Sequence, residues 1–353
     1  MKMIRSTIPL VALTVLAGCE LSPKVSQQTG YRGTGMDQIH TVAALDKAKA
    51  ANFIPPAPYP LESRDGPLAT SQYQNVKVLN DLSADEFNRL MGSFNDWVAP
   101  KEEGCNYCHN PENMASDEKY QKIVARRMIE MTRHINTEWQ PHVKQTGVTC
   151  WTCHRGNALP TYKWSSLAPE PAGIRGNRHG QNAPNKNVGY ASLPNNIYEP
   201  YLLASQNVRV ESPTAYGKGG AIPIQSAEQT YGLMMRVSTA LGVNCTYCHN
   251  TNGFASWTHS TPARVTAWHG IRLARDINNA YLQPLGSVLP ASQKGSLGDA
   301  YKVNCATCHQ GVNKPLGGVS MLKDHPALAG PRSAAMAATA PATAGAGVKT
   351  GAR

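Results

Sequence analysis

Four copies of one short pattern constrain this chain more than anything else in it. Cys-x-x-Cys-His occurs at Cys105/Cys108/His109, Cys150/Cys153/His154, Cys245/Cys248/His249 and Cys305/Cys308/His309. Two cysteines three apart can reach both vinyl positions of a haem while the adjacent histidine meets the iron from the same face, so each copy reads as a covalent haem site. A lone Cys-x-x-Cys also fits a redox dithiol or half a zinc site, but four copies that all end in histidine argue against both. The motifs use eight of the nine cysteines, which leaves none for a disulfide framework or a Cys-His nucleophile.

The ninth cysteine sets the expected compartment. Lys2 and Arg5 precede an apolar stretch at residues 8–16, and Leu16-Ala17-Gly18-Cys19 closes it. The stretch is too short to span a bilayer as a helix and reads as an export signal. Leu-Ala-Gly-Cys resembles a bacterial lipoprotein processing box, which implies that residues 1–18 are a removed signal peptide and that Cys19 is acylated. Two or three acyl chains would hold the protein stably at a membrane surface. No later segment reaches 18 consecutive apolar residues, so the body reads as soluble and tethered.

A formal charge of +11 invites a nucleic-acid reading. Removing Lys2 and Arg5 leaves +9, and the eight propionates of four haems bring the sum to about +1. The basic excess is thus largely an internal counter-charge. No clustered basic run or aromatic-interleaved basic patch appears, and no nucleic-acid partner is expected.

With 353 residues and 41% apolar side chains the chain can bury a real core, while 25 prolines and 30 glycines predict a loop-rich protein. Residues 19–82, with prolines at 55, 56, 58 and 60, read as an extended segment lying on the surface or along partner subunits. Ser83-x-x-Glu86 is a capping box ahead of Phe87, Leu90, Met91 and Phe94 at helical spacing, and that helix should stop before Pro100. A second helix is expected over 119–139, limited by Pro141. Helices at 227–241 and 262–282 then repeat this arrangement before the third and fourth motifs. The expected fold is therefore a mainly α multihaem cytochrome: two pseudo-twofold related dihaem units, at 83–158 and 225–329, with long irregular connecting segments. Residues 159–224 read as a connector with short strands or turns at most. Residues 330–353 read as a disordered Ala/Gly-rich tail.

The proximal ligands are His109, His154, His249 and His309. Function turns on the opposite face of each iron, because a second protein ligand makes an electron carrier and an open face permits small-molecule chemistry. Three methionines lie on the helices before the motifs: Met91, Met128 and Met234, with Met131 and Met235 as nearest competitors. No methionine lies between Met235 and Cys305, so the fourth haem needs another ligand. His134, His142, His179, His259, His269, His325 and Met321 are the candidates, and His142, following Pro141, would staple the two halves together.

The segments ARRMIEMTRHINTEWQPHVKQTGVTCWTCHRG, YGLMMRVSTALGVNCTYCHN and CATCHQGVNKPLGG resemble the tetrahaem cytochrome subunit bound to photosynthetic reaction centres of purple bacteria. The resemblance implies three His/Met haems and one His/His haem. It sets Met91, Met128 and Met234 opposite His109, His154 and His249, and His142 opposite His309. It implies a relay with no catalytic residue, taking electrons from a soluble periplasmic carrier, a cytochrome c or a high-potential iron-sulfur protein. They would go to the photo-oxidised bacteriochlorophyll special pair held by the L, M and H reaction-centre subunits. The haems would form a row, third-motif haem nearest the pigments, then fourth, second and first. The implied location is the periplasmic side of the photosynthetic inner membrane, with lipid held through Cys19. Arg264, Arg272 and Arg275 are expected to tune a potential or pair with propionates. The competing readings are a respiratory multihaem electron-transfer lipoprotein, a multihaem reductase with one open iron, and a purely structural lipoprotein. All four motifs ending in His weigh against the reductase.

Overall fold

The computed structural model describes residues 22–61, 64–168, 193–210 and 224–332. Cys19, the leader, most of the Ala/Gly-rich tail and His179 lie outside the described residues. Strands β1 (Lys24–Gln28) and β2 (Asp37–Thr41) form an antiparallel hairpin that runs into α1 (Val42–Ala51). There follow a short α2 (Ala69–Gln72), then α3 (Ala84–Trp97), α4 (Tyr120–Glu138), α5 (Gln140–Val143) and α6 (Cys150–His154). After β3 (Lys163–Trp164) come α7 (Glu199–Leu202), α8 (Ile224–Leu241), α9 (Pro262–Asp276), β4 (Lys302–Val303) and α10 (Cys305–His309). The architecture is mainly helical, and the two small sheets of the described residues are two-stranded.

The helix signals placed the elements well. Ser83 caps α3 by accepting from the Glu86 N–H at 3.2 Å, and the helix stops ahead of Pro100 as expected. Glu86 does not return the bond to the cap. Its carboxylate is buried and pairs with Arg64 at 2.9 Å, because a charge in the core finds a guanidinium more favourable than a backbone amide. The fourth expected helix is α-helical only to Asp276 and continues as a π-helical turn, Ile277–Leu282.

The front segment corrects the reading of residues 19–82 as extended chain. Thr41 accepts from Ala44 N–H and starts α1, and the Ala-rich run that follows favours helix. This segment straps three motifs together. Asn244, the cap of the third motif, exchanges bonds with Gln38 at 2.6 and 2.8 Å. Arg155, just after the second motif, donates to Ala51 O and Asn52 Oδ1, while Asn52 Oδ1 also accepts from Leu316 N–H near the fourth.

The cores cut across the sequence boundaries of the two units. Leu90, Trp97, Ile129 and Trp151 of the first unit pack with Leu316, Met321, Ala327 and Leu328 from the end of the second. Leu233 and Ile271 of the second pack with Trp164, Tyr201 and Leu202 from the connector. The connector therefore carries a helical turn, α7, and a core face. Between the two clusters Ile135 of α4 meets Leu273 and Ile277, with Met131 packed against them.

Candidate haem sites

The four motifs adopt two local forms, and these alternate along the chain. The first and third wind as single 3₁₀ turns, Gly104–Tyr107 and Cys245–Tyr247, with the His109 and His249 N–H groups donating to the first cysteine's carbonyl at 3.0 Å in both. The second and fourth are the helical turns α6 and α10. Here Thr149 and Asn304 N–H donate to Thr152 and Thr307 Oγ1 at 3.0 and 2.9 Å, and Arg155 and Gln310 end the turns in the left-handed region. Each of these turns then leans on the helix preceding the partner motif, Gly156 N–H donating to Trp97 O at 3.0 Å and Gly311 N–H to Ala240 O at 2.8 Å. Gly242 faces Gly311 so closely that a Cβ there would lie 2.1 Å from its carbonyl oxygen, which is why glycine stands at this crossing.

Every motif histidine is oriented by its own loop. Nδ1 donates to a backbone carbonyl in each case: His109 to Met114 O at 2.9 Å, His249 to Phe254 O at 2.8 Å, His154 to Asn157 O at 2.9 Å and His309 to Val312 O at 3.0 Å. A carbonyl only accepts, so Nδ1 carries the proton and Nε2 keeps its lone pair for a metal. Burial lowers the pKa of His154 and His249, and that of His309 to about 4, with His142 adding to the last. These imidazoles are neutral at physiological pH, the state a metal ligand requires.

Five of the motif cysteines behave as neutral thiols. Burial pushes Cys108, Cys248 and Cys305 up to about 11 and Cys150 up to about 12. Cys308 is raised first by its hydrogen bond with Cys153, 2.7 Å away, and then by burial. This is the opposite of an activated redox thiolate. Among the described residues no three His, Cys, Asp or Glu side chains converge as a metal-binding group of their own. The donor set fits a haem held by two sulfurs and one ring nitrogen, and does not fit a thiolate zinc cage.

On the distal side, His142 stands out. Its ring centroid lies 6.0 Å from that of His309, and its Nδ1 donates to Thr266 O at 2.9 Å, leaving Nε2 free. An ion held roughly 2 Å from a nitrogen of each of two facing imidazoles separates the ring centroids by about 6 Å, so the gap fits one iron. Four of the rival candidates have other contacts. His134 Nε2 bonds Asp276 at 2.7 Å, and His325 is buried edge-on to Trp97 with Arg89 3.4 Å from its Nδ1. Met321 is a core residue that accepts from Thr149 Oγ1, and His269 lies edge-on to Trp268. Met91, Met128 and Met234 are half-buried on α3, α4 and α8. Met131 belongs to the apolar contact between the halves, whereas Met235 is exposed. Six residues separate Met91 from Trp97 and Met234 from Ala240, the two carbonyls that receive Gly156 and Gly311, so these methionines occupy matching positions.

Of the arginines expected near propionates, Arg275 is committed to Tyr201 O at 2.9 Å. Arg264 and Arg272 lie over the Trp257 and Trp268 rings at 4.1 Å. Asn136 and Asn278 escaped the sequence reading. Each brackets the residue two before a motif, Val148 or Val303, with a pair of bonds of 2.8–3.0 Å. The signal for them was the shared arginine three residues earlier in both helices.

A chain with four such cradles is a multihaem c-type cytochrome. The family profile of the photosynthetic reaction centre cytochrome c subunit matches residues 20–329, and the chain belongs to that family. It is 50% identical over 337 residues to the photosynthetic reaction center cytochrome c subunit of Rubrivivax gelatinosus, covering 95% of this chain and 91% of that protein. To the subunit of the same name from Thermochromatium tepidum it is 48% identical over 321 residues, 90% and 78% of the two chains. For Roseobacter denitrificans the figures are 38% over 318 residues, 86% and 85%. The chain is thus a membrane-associated electron-transfer subunit of a photosynthetic reaction centre, with four covalent haems and no enzymatic reaction of its own. Among the described residues no helix is long and apolar enough to cross a membrane.

Proposed function

We propose that the chain relays electrons from a soluble carrier on the periplasmic side, a cytochrome c or a high-potential iron-sulfur protein, to the bacteriochlorophyll special pair of the L, M and H subunits. Cys19 anchors it by lipid. When bound, the four haems supply one-electron ferrous–ferric chemistry. Cys105/Cys108, Cys150/Cys153, Cys245/Cys248 and Cys305/Cys308 hold them by thioethers; His109, His154, His249 and His309 ligate one face, and Met91, Met128, Met234 and His142 the other. Fixing both faces of each iron leaves no open position for a substrate, and neutral thioether and imidazole ligands change little when the metal changes charge.

The observation that carries this reading is the set of five imidazoles whose Nδ1 atoms are tied to carbonyls, with His142 and His309 facing each other. The recurring contacts also support an internal duplication of a two-haem unit about a pseudo-twofold axis. Cys153 and Cys308, the second cysteines of the second and fourth motifs, meet near its centre. This favours a row with the second- and fourth-motif haems in the middle and the first- and third-motif haems at its ends. A flash experiment on membranes tests the whole reading: haem oxidation should follow special-pair oxidation, and the chain should copurify with bacteriochlorophyll-binding subunits. A flash that leaves all four haems reduced would reject it.

A further inference from the structure

Glycine inside a helix costs about 1 kcal/mol relative to alanine, so Gly270 in the middle of α9 calls for a reason. The registers of α4 and α9 supply one. Arg133 and Arg275 each donate Nε to a carbonyl at 2.9 Å, of Ala327 and Tyr201. Three residues on, Asn136 and Asn278 make the matching pairs of bonds already described, and each adds one to Leu328 O or Leu202 O. Ile129 and Ile271, and Ile135 and Ile277, are buried at the same places. His134 bonds Asp276, its own counterpart 142 residues away. In this register Met128 corresponds to Gly270.

What fills the missing side chain's place is His142. A Cβ built on Gly270 would lie 2.6 Å from His142 Cε1, 3.0 Å from its Nδ1 and 3.3 Å from its Nε2. The first two distances are closer than packed side chains tolerate, and the third is tight. The Gln140-Pro141-His142 sequence also recurs, as Gln283-Pro284-Leu285, shifted by one residue after the π-helical turn Ile277–Leu282. α4 carries a thioether and the recurring loop a buried leucine, Leu285; α9 carries no side chain at Gly270, and the loop packed on it carries an imidazole.

We propose that Gly270 is the positioning residue that selects the axial ligand opposite His309. By carrying no side chain it opens on α9 the volume that Met128 fills on α4, and admits the ring of His142 from the other half. This rests on the ligand assignment above. It adds that the difference between one His/His and three His/Met sites is set by a methionine-to-glycine exchange at a single helix position, coupled to a leucine-to-histidine exchange in the loop.

The test uses the full complex with haem loading counted by mass spectrometry. His142→Gly alone should lose the bis-histidine paramagnetic resonance signal and gain a high-spin signal that added imidazole abolishes. If the bis-histidine signal persists, the ligand assignment fails, whatever Gly270 does. His142→Gly with Gly270→Met should return the fourth haem to low spin without imidazole, add a methionine–iron charge-transfer band and raise that haem's potential above its original value. A fully loaded double variant that stays high-spin would overturn the proposal while leaving the ligand assignment intact. Gly270→Ala in the otherwise unaltered chain gives a second reading that does not depend on remodelling the site. The added methyl should shift the bis-histidine signal and the potential of that haem alone. A variant indistinguishable from the parent in both would also overturn it.

Discussion

The two halves of the cytochrome use matching fastenings around different residues at one helix position. Trp97 and Ala240 each receive a glycine N–H, from Gly156 and Gly311, Asn136 and Asn278 each bracket a valine, Val148 and Val303, and Arg133 and Arg275 each reach a carbonyl, of Ala327 and Tyr201. Yet Met128 stands where the other half has Gly270. The polar fastenings hold the backbone, so a ligand can be exchanged on a fixed frame. On the ligand assignment proposed above, ligation is a matter of which side chain fills a prepared volume, and not of a different fold around each haem.

The sharpest way to break this comparison lies in the arginine pair, which matches in only one bond. Arg133 also clasps Asp81 with two bonds of 3.0 and 3.1 Å and donates to Val78 O, all in largely buried surroundings. Arg133→Met leaves the Asp81 carboxylate without its guanidinium, held only by the Arg332 N–H, and should cost about 4 kcal/mol, whereas Arg275→Met should cost about 1–2 kcal/mol. Chemical unfolding of the two variants measures the difference, and equal losses would show that Asp81 contributes nothing.

The asparagine pair should behave in the opposite way. Asn136 and Asn278 are both almost fully buried and each makes three bonds to backbone groups. Alanine at either site should cost about 3 kcal/mol, by losing those bonds and leaving buried amides and carbonyls unpaired. Similar unfolding midpoints for the two variants are expected. A difference greater than about 1 kcal/mol would mean that the two brackets are not equivalent fastenings.

These pairs also show what could be read from the sequence. The attachment cysteines and helices were legible because their signals are local: a fixed spacing, an apolar period, a serine cap. Even the two motif forms have a local mark, since the helical turns read Cys-His-Arg-Gly and Cys-His-Gln-Gly while the 3₁₀ turns read Cys-His-Asn. The swapped cores were not legible, because Leu328 and Tyr201 reach their clusters from segments far away in sequence. The hairpin and α1 were hidden by the prolines beyond them, which drew the whole stretch toward an extended reading. Gly270 was visible as a residue, but the space it leaves is only defined once His142 is placed against it.

An acid-sensitive contact separates the halves further. His325 is buried against Trp97, and burial first, then Arg89, lowers its pKa to about 4. Its counterpart before Tyr201 is Glu199, so only the core around the first unit's Trp97 receives this group. The unfolded chain binds a proton near pH 6.5 that the folded chain refuses until about pH 4, so the contribution is complete above 6.5 and lost as the pH falls through that window. Lowering the pH from 7 to 4.5 should cost up to about 2 kcal/mol through this residue, and His325→Gln should remove that part of the pH dependence. Thermal midpoints of parent and variant across the window decide it; parallel curves would mean that His325 does not titrate with unfolding.

The smallest expected difference lies where the second helix of each half begins. Lys122 of α4 and Arg264 of α9 hold matching positions in the register of the two helices. Lys122 sits 3.6 Å from Asp117, which also meets Arg126 at 2.8 Å and Lys77 at 2.9 Å, so the first half is pinned by partly exposed ion pairs. Arg264 instead stacks on Trp257 and donates to Ser256 O at 2.9 Å, contacts that involve no opposing charge. The Arg126 and Lys77 bonds hold the Asp117 carboxyl well below the usual carboxylate range. Its stabilisation is therefore present above the ordinary carboxylate pKa near 4 and is lost as the pH falls below it. Because the carboxylate is a third exposed, Asp117→Asn should cost less than about 1 kcal/mol at low salt. That cost should shrink further near 1 M salt, where screening acts over about 3 Å. Trp257→Leu, by contrast, should give a loss that salt leaves nearly unchanged. Unfolding midpoints of the two variants at low and high ionic strength separate the cases: an Asp117→Asn cost that ignores salt would assign the pinning to its hydrogen bond from Asn75 rather than to charge.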